Sequence, residues 1–259
     1  MAGTRIRVGI GGWDFEPWRE TFYPSDLPKK RALEWASRQV TTIEINGTFY
    51  RTATPANFAS WAAQTPDDFV FSVKANRFCT NRKVLGEAGE SIERFMGSGL
   101  AELGDKLGPI LWQLAHTKKF DAADVEAFFK LLPAKLGKRK LMHVLDARHE
   151  SFLCDDYLKL ARKYKVATVI TDSSKFANFT EVTGPFVYAR LMEAKSECAT
   201  GYTRPALKKW AAQAEDWRSG GGSGAPAPKA GREVFVYFIN GAKERAPAAA
   251  QQLLKTLAK

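Results

Sequence analysis

The sequence predicts a single (β/α)8 barrel of the TIM type, with eight parallel strands, and three observations predict it. Eight short runs are rich in Val, Ile and Phe, which is the composition of strands buried on both faces. Segments with helical periodicity lie between them, and such alternation implies parallel pairing through right-handed crossovers. The length of 259 residues is that of one such barrel. The alternative is an open doubly wound sheet. Its dinucleotide-binding form needs GxGxxG, and the stretch GIGGWD at 9–14 ends in Asp14 instead.

The predicted strands are short and bounded by turn residues or by helical patterns. In chain order they are 7–13, 41–46, 69–75, 109–115, 140–148, 166–172, 186–192 and 233–240.

The predicted helices connect these strands. They are 29–39, 55–64, 92–107, 121–132, 151–165, 204–217 and 245–259. Pro55 suits a first helical position, and Asp121 and Ser151 are good N-caps. Three glycines weaken the helix at 92–107. The segment 173–184 is too short for more than one or two turns.

One segment differs in composition from the rest of the chain. Residues 218–231 are mostly Gly, Ser, Ala and Pro, which predicts a flexible surface loop before the last strand. The residues after this loop are too few to form a core of their own. We therefore expect one domain over 1–259.

The composition limits the classes of partner. The net charge of +11 and the pI of about 9.6 favour an acidic partner: nucleic acid, a phosphorylated or carboxylated small molecule, or an anionic membrane surface. The alternative is that the basic residues only form a solvated surface. The basic clusters at 29–31, 118–119 and 138–140 are shorter than a nucleic-acid-binding tail. Three widely spaced cysteines predict neither a disulfide framework nor a zinc site. No signal-peptide pattern and no run of eighteen apolar residues is found, so we expect a cytoplasmic protein without membrane contact.

The second predicted strand, TTIEIN, carries an acidic residue although the strand is expected to be buried in the core. Burying an unpaired carboxylate costs several kcal/mol, so Glu44 needs partners. Side chains alternate along a strand, so Glu44 shares a face with Asn46, and Asp146 shares one with Arg148. In this fold the carboxyl ends of the strands carry the active site. We therefore expect a polar ring at the barrel mouth. The alternative is a salt-bridge network that only closes the barrel.

The candidate site residues all lie at or just past the carboxyl end of a predicted strand. Those with acid, base or nucleophile chemistry are Glu44, Lys74, Asp146, His149 and Asp172. Those suited to binding a substrate are Trp13, Asn46, Tyr50, Arg77, Gln113, Arg148, Arg190 and Asn240. By contrast, His143 lies in mid-strand and is expected to be a packed core histidine, and Trp35, Trp61 and Trp210 are expected to pack on helix faces.

Several longer motifs resemble the YecE-like family, the domain-of-unknown-function family seventy-two. They include GIGGWDFEPWRETFYP, IEINGTFYRTATPANFASWAAQTPDDFVFSVKANRFCTN, LGPILWQL, DARHESF, VYARL and VFVYFINGAKERAPAAA. The resemblance extends from about Arg7 to Leu257 and implies a TIM-like barrel without implying a particular reaction. The family's polar positions match Trp13, Glu44, Asn46, Phe49, Tyr50, Lys74, Gln113, Arg148, His149, Asp172, Tyr188, Arg190, Tyr202 and Asn240, and Tyr188 thereby joins the substrate-binding candidates.

This chain departs from the family's pattern at four places. Asn81 stands where the family usually has a histidine, and Met192 and Glu193 stand where it usually has His-Gly. Asp146 replaces a usual Glu, and Ile239 replaces a usual Asn. The resemblance therefore implies no role here for the two missing histidines.

Three functions remain open from the sequence. The first is an enzyme on a small anionic substrate, with Arg148 and Arg190 binding the anion, Glu44 or Asp146 as general base, and Lys74 or His149 as acid. Lys74 could instead form a Schiff base.

The second function is a metal-dependent hydrolase or isomerase. Its candidate ligands are Glu44, Asp146, His149 and Asp172, although nearby cations disfavour a divalent ion. The third is nucleic-acid binding or processing through 29–31, Lys83 and 138–140. The sequence identifies no cofactor and no oligomeric state.

Overall fold

The structure is a computed structural model that describes residues 5–222, 224–226 and 228–258. Eight parallel strands form a closed barrel, which confirms the predicted fold class. In chain order they are β1 Ile6–Gly11, β2 Thr42–Ile45, β3 Val70–Lys74, β4 Leu107–Gln113, β5 Met142–Asp146, β6 Ala167–Thr171, β7 Val187–Leu191 and β8 Val234–Phe238. Each strand pairs with its neighbours in sequence, and β1 closes the barrel against β8 from Ile6–Val234 to Ile10–Phe238.

Helices surround this barrel. They are α1 Ala32–Ala36, α2 Gly47–Tyr50, α3 Pro55–Gln64, α4 Arg77–Thr80, α5 Gly89–Met96, α6 Ala122–Leu131, α7 Asp155–Lys163, α8 Arg204–Ser219 and α9 Ala246–Leu257. The bounds of α3 match the prediction. Thr54 precedes Pro55 and forms a capping box with Asn57. Asp121 caps α6 by accepting a hydrogen bond from the Asp124 amide, as predicted.

The structure differs from the prediction in several of the helices. The predicted helix 92–107 is α5 followed by a separate 3-10 segment, Leu100–Lys106, because Gly99 adopts a left-handed φ of 111° between them. Ser151 does not cap α7, since it lies inside a preceding 3-10 turn and Cys154 occupies the N-cap position. The short helices α2 and α4 were not predicted. Each has only four residues, too few for a helical period.

Alternation along the strands divides the core into two layers. The inner cluster fills the barrel and consists of Leu111, Val144, Ala167, Val169, Phe186, Tyr188, Phe235, Tyr237 and Ile239. The larger outer cluster lies between barrel and helices, and Trp35, Trp61 and Trp210 pack against it as predicted. His143 is buried there too. It accepts a hydrogen bond from the Trp112 indole at 3.1 Å, and burial lowers its pKa. His143 is therefore the core histidine that the sequence predicts.

The Gly-rich segment before β8 has no helix or strand after α8 ends at Ser219 in the residues described, while residues 223 and 227 lie outside them. Its described part is anchored by Arg232, which is fully buried and donates to the carbonyl oxygens of Gly221 and Ala225. The mobility of this loop stays a prediction. Across the described residues, no helix combines the length and the apolar character needed to cross a membrane.

Candidate functional site

A buried ion pair spans the barrel at the carboxyl end of the strands. Glu44 near the end of β2 and Arg190 near the end of β7 are 0% and 2% exposed. Arg190 donates to both carboxylate oxygens of Glu44, from Nη2 at 3.0 Å and from Nε at 3.1 Å. Burial alone would lower the pKa of Arg190, but the charges of Glu44 and Asp146 outweigh it and raise the pKa. Glu44 is thus a paired charge inside the barrel.

Asp146, at the end of β5, joins this pair to a second arginine. Its Oδ2 atom accepts hydrogen bonds from Arg190 Nη1 at 2.7 Å and from Arg148 Nε and Nη2 at 3.1 and 3.0 Å. Arg148 Nη2 also donates to Gln113 Oε1 at 2.8 Å, and the guanidinium stacks 4.4 Å from the centre of the Phe176 ring. One carboxylate oxygen therefore orients two guanidinium groups.

Tyr188 and Ser72 complete the buried side of the cluster. The Tyr188 hydroxyl donates to Glu44 Oε2 at 2.7 Å and lies 2.7 Å from the Ser72 hydroxyl. Burial and the charge of Glu44 raise the pKa of Tyr188 well above its usual value. Ser72 was missed by the sequence reasoning. Its position two residues before Lys74, on the same face of β3, is the signal that would have found it.

Lys74 ends β3 beside the cluster but holds none of its carboxylates. It is 6% exposed, and its ammonium makes no hydrogen bond and no ion pair within 4.0 Å to any described residue. Instead the Nζ atom lies 4.2 Å from the centre of the Phe49 ring. Burial, with help from the neighbouring charge of Arg190, lowers the pKa of Lys74 to about 8. This lysine therefore loses its charge more easily than an exposed one.

The cluster has an excess of positive charge. Two carboxylates, Glu44 and Asp146, face the three cations Arg190, Arg148 and Lys74. Both oxygens of Glu44 are engaged, whereas Asp146 Oδ1 accepts no hydrogen bond from a described residue, and Arg148 Nη1 donates none. The Arg148 side chain is 14% exposed, so the cluster reaches the surface there. An anion would complete the charge balance of this site.

Two predicted catalytic residues lie outside the cluster. Asp172 follows β6, and its two oxygens accept hydrogen bonds from the Met192 amide at 2.6 Å and from the Tyr202 hydroxyl at 2.7 Å. Burial raises its pKa. His149 Nδ1 accepts a hydrogen bond from the Ser151 amide at 3.1 Å and caps the turn at Glu150–Phe152. The structure thus uses both residues to hold loops together, and their catalytic roles stay predictions.

The predicted binding residues divide in the same way. Gln113, Arg148, Tyr188 and Arg190 belong to the cluster. Asn46 is half-buried and donates weakly to the Glu44 carbonyl at 3.4 Å. The remaining four are Trp13, Tyr50, Arg77 and Asn240. Trp13 packs edge-on against Trp61 of α3, in the layer outside the barrel. Tyr50 and Arg77 are exposed in the short helices α2 and α4, and Asn240 is exposed after β8.

The described part of the chain contains no set of ligands for the metal-dependent alternative. No three His, Cys, Asp or Glu side chains among those residues are grouped so that they could hold a metal ion. The proposed ligands are separated, because Glu44 and Asp146 bind arginines while His149 and Asp172 bind loop backbone.

Fold and site together define a (β/α)8-barrel protein with a buried, positively charged cluster at the carboxyl end of its strands. The chain belongs to the family described as protein of unknown function DUF72, whose family model matches residues 7–259. This confirms the resemblance to the YecE-like family. No curated protein matches the sequence.

Solved structures share the fold over nearly the whole chain. The DUF72 family protein TM1631 from Thermotoga maritima is 22% identical with a TM-score of 0.77, covering 98% of this chain and 99% of that one. SacUVDE, a UV damage endonuclease, is 12% identical with a TM-score of 0.55, covering 98% of both chains. The 3-keto-D-glucoside 4-epimerase YcjR from E. coli is 12% identical with a TM-score of 0.53, covering 98% and 100%. At these identities the similarity supports the fold alone.

Proposed function

We propose that this protein is an enzyme that binds a small phosphorylated or carboxylated substrate between Lys74 and Arg148. The observation that carries the proposal is the unbalanced charge of the buried cluster, with two carboxylates against three cations. A buried cation without a counter-ion is costly, and an anionic ligand removes that cost. Arg148 Nη1 and Lys74 Nζ have no hydrogen-bond partner among the described residues and can donate to that ligand.

The contacts also separate the roles of the two carboxylates. Glu44 is held by Arg190 and Tyr188 through both oxygens and acts as a fixed counter-charge. Three hydrogen bonds hold Asp146 Oδ2, while Oδ1 accepts none from the part of the chain that the structure describes. A positioned carboxylate with a free oxygen can accept a proton from a bound substrate. We therefore assign the general-base role to Asp146 rather than Glu44.

Binding of inorganic phosphate and of malonate tests the proposal. Each should raise the melting temperature of the wild type, and the effect should be lost in Lys74→Met and in Arg148→Met. Lys195→Met, an exposed lysine on the same face, should behave as the wild type and controls for general surface charge. Because Lys74 has a pKa of about 8, the affinity should fall as the pH rises above 8. Equal responses from all four proteins would refute the proposed site.

A second candidate function is binding of single-stranded nucleic acid on the same face. Tyr50 and Phe78 are each 64% exposed, in the short helices that follow β2 and β3. They are accompanied there by the basic residues Arg51, Arg77, Arg82 and Lys83. Exposed aromatic rings among cations are typical of surfaces on which bases stack.

The basic clusters named from the sequence do not form one surface. Lys29 pairs with Glu16 in the loop after β1, at the carboxyl end of the barrel. Arg139 donates to Leu107 O at the start of β4, at the opposite end. The nucleic-acid proposal therefore rests on the carboxyl-face residues.

A gel shift with single-stranded DNA and RNA at several salt concentrations tests this second candidate. Binding should weaken with salt and drop in the double variant Tyr50→Ala/Phe78→Ala, while Leu153→Ala, another exposed apolar side chain, should bind as the wild type. No shift at low salt would eliminate this function.

A further inference from the structure

Lys74 differs from the other cations of the cluster in what surrounds its charged atom. Arg148 and Arg190 are both bound to carboxylates, whereas the Lys74 ammonium faces the Phe49 ring at 4.2 Å and has no ion pair in the described structure. Phe49 is itself buried, at 6% exposed. A lysine placed only to stabilise the barrel would be expected to pair with one of the two nearby carboxylates.

The surroundings of Lys74 favour the neutral amine, which is the nucleophilic form. Burial is the main cause, and the charges of Arg190 and Arg148 add to it, while Glu44 and Asp146 oppose it. Desolvation beside another cation is a recognised way of activating a lysine for covalent catalysis. With a pKa of about 8, part of the Lys74 population is neutral near pH 7.

Two groups of the cluster, unpartnered among the described residues, supply the anion anchor and the proton carrier that an amine nucleophile needs. Arg148 Nη1 can hold the carboxylate or phosphate of a substrate, because the rest of this guanidinium is fixed by Asp146 and Gln113. Asp146 Oδ1 can take up and return a proton. Nucleophile, anion anchor and proton carrier are thus contributed by β3 and by the end of β5.

We propose that Lys74 forms an imine with the carbonyl carbon of a small anionic aldehyde or ketone bound at Arg148. This inference rests on the proposed anion site and specifies its substrate class. The Nζ lone pair forms the N–C bond while the carbonyl π electrons move to oxygen. A proton passes from nitrogen to that oxygen through Asp146, giving a carbinolamine. A second proton, from solvent, lets the C–O bond break and water leave, so that C=N forms without oxidation or reduction.

The cluster also suits the product of this reaction. A protonated imine carries one positive charge, as the lysine ammonium does, so the carboxylates of Glu44 and Asp146 stabilise it in the same place. The reverse reaction with water releases the carbonyl compound and restores Lys74.

Reductive trapping tests the inference on the intact protein. Wild type is incubated with glyoxylate, pyruvate or dihydroxyacetone phosphate in the presence of sodium cyanoborohydride, and modified peptides are identified by mass spectrometry. We expect at least one probe to modify Lys74 at least tenfold faster than any other lysine. Lys106 is the internal control, since its ammonium donates to Ala62 O and Thr65 O at 2.7 Å each. Labelling of Lys74 should rise with pH and level off above about pH 8.

Two variants separate a reactive lysine from an accessible one. Lys74→Arg keeps the charge and should lose the label at this position without new labelling nearby. Asp146→Asn should slow labelling of Lys74 by tenfold or more, while pulse labelling of exposed lysines stays unchanged. Thermal unfolding of both variants establishes that they are folded.

The outcomes distinguish this inference from the proposed function. If phosphate and malonate stabilise the wild type through Lys74 and Arg148 but no probe is trapped on Lys74, the imine is refuted and the anion site stands. If labelling is spread over exposed lysines at equal rates, the imine is likewise refuted. If neither anions bind nor probes are trapped, both proposals fail.

Discussion

At the scale of single residues, Arg190 is the residue that allows charge inside this barrel. It is buried and forms hydrogen bonds to both Glu44 and Asp146. Two carboxylates in a low-dielectric interior are tolerated only with a cation between them, because the desolvation penalty of each is several kcal/mol. The same residue type at position 148 has a different role, since it lies at the edge of the cluster and is partly exposed.

Replacing Arg190 tests this role. Arg190→Met leaves Glu44 and Asp146 buried without their shared partner and should reduce the free energy of unfolding by about 3–5 kcal/mol. Arg148→Met should cost about 1 kcal/mol, because Asp146 keeps its bond to Arg190. Urea unfolding at pH 7 measures both. The double variant Glu44→Gln/Arg190→Met should be less destabilised than the single one, and equal costs for the two arginines would contradict the assignment.

Lys74 should make stability depend on pH in a defined window. Its pKa falls from 10.5 to about 8 on folding, so between these values the unfolded chain binds more protons and the native state gains stability as pH rises. The full difference corresponds to about 3 kcal/mol.

The variant Lys74→Met isolates this effect. At pH 7 it should be more stable than the wild type, by up to about 3 kcal/mol, because the cost of the buried ammonium is removed. The gap should narrow as the pH rises above about 8 and vanish above 10.5, where Lys74 is neutral in both the folded and the unfolded state. Urea unfolding of both proteins from pH 7 to pH 10 measures the gap. If the difference in stability stays constant over this pH range, burial does not destabilise the charged form of Lys74.

At the scale of secondary structure, alternation along the strands places the polar side chains of the site inside the barrel. Local capping fixes where several of the helices begin. Ser72 and Lys74 share one face of β3, just as Glu44 shares one face of β2 with Thr42, so each strand contributes polar groups to the interior near its carboxyl end. The longer helices return the chain to the other end of the barrel, and α3, α6 and α8 begin after a residue whose side chain accepts a hydrogen bond from a free backbone amide.

The cap of α6 provides a test at this scale. Asp121→Ala removes the carboxylate that accepts from the Asp124 amide at 2.9 Å and should cost about 1 kcal/mol. Asp67→Ala is the matched control, because Asp67 is exposed and makes no side-chain hydrogen bond to a described residue. It should change stability by less than about 0.5 kcal/mol. Chemical unfolding compares them, and equal effects would show that the Asp121 cap contributes nothing.

At the scale of the whole molecule, closure of the barrel depends on close approach of neighbouring strands. Gly9 in β1 pairs with Thr42 in β2, and a Cβ atom at position 9 would lie 1.9 Å from the Thr42 carbonyl oxygen. That oxygen belongs to the backbone and cannot move away without separating the strands. Closure also brings β7 beside β8 and across from β2, which is what places Arg190 against Glu44.

Gly9→Ala should therefore cost about 3 kcal/mol or more, or prevent folding. Gly47→Ala is the matched control. A Cβ there meets nothing within 4 Å, and Ala at the start of α2 should be neutral or slightly stabilising. Soluble yield and urea unfolding together measure the difference. A folded Gly9→Ala protein of wild-type stability would refute the steric requirement.

The barrel and the cluster were predictable to different degrees. Strand number, order and type followed from composition and alternation, which are properties of neighbouring residues. Glu44, Lys74, Asp146, Arg148 and Arg190 were correctly expected at one mouth, because parallel strands place their carboxyl ends together. The same rule also predicted Asp172 and His149, which follow strands but bind the backbone amides of Met192 and Ser151, and their catalytic roles stay predictions.

The sequence by itself determined the barrel and the end of it at which charge collects, since periodicity and strand polarity are local and repeat along the chain. Only the tertiary structure decided which charges pair. Arg190 and Glu44 are 146 positions apart, and their contact depends on strand register and closure. It likewise decided that Lys74 has no carboxylate partner in the described structure: the arginines hold both oxygens of Glu44 and Oδ2 of Asp146, and the Lys74 ammonium lies over the Phe49 ring.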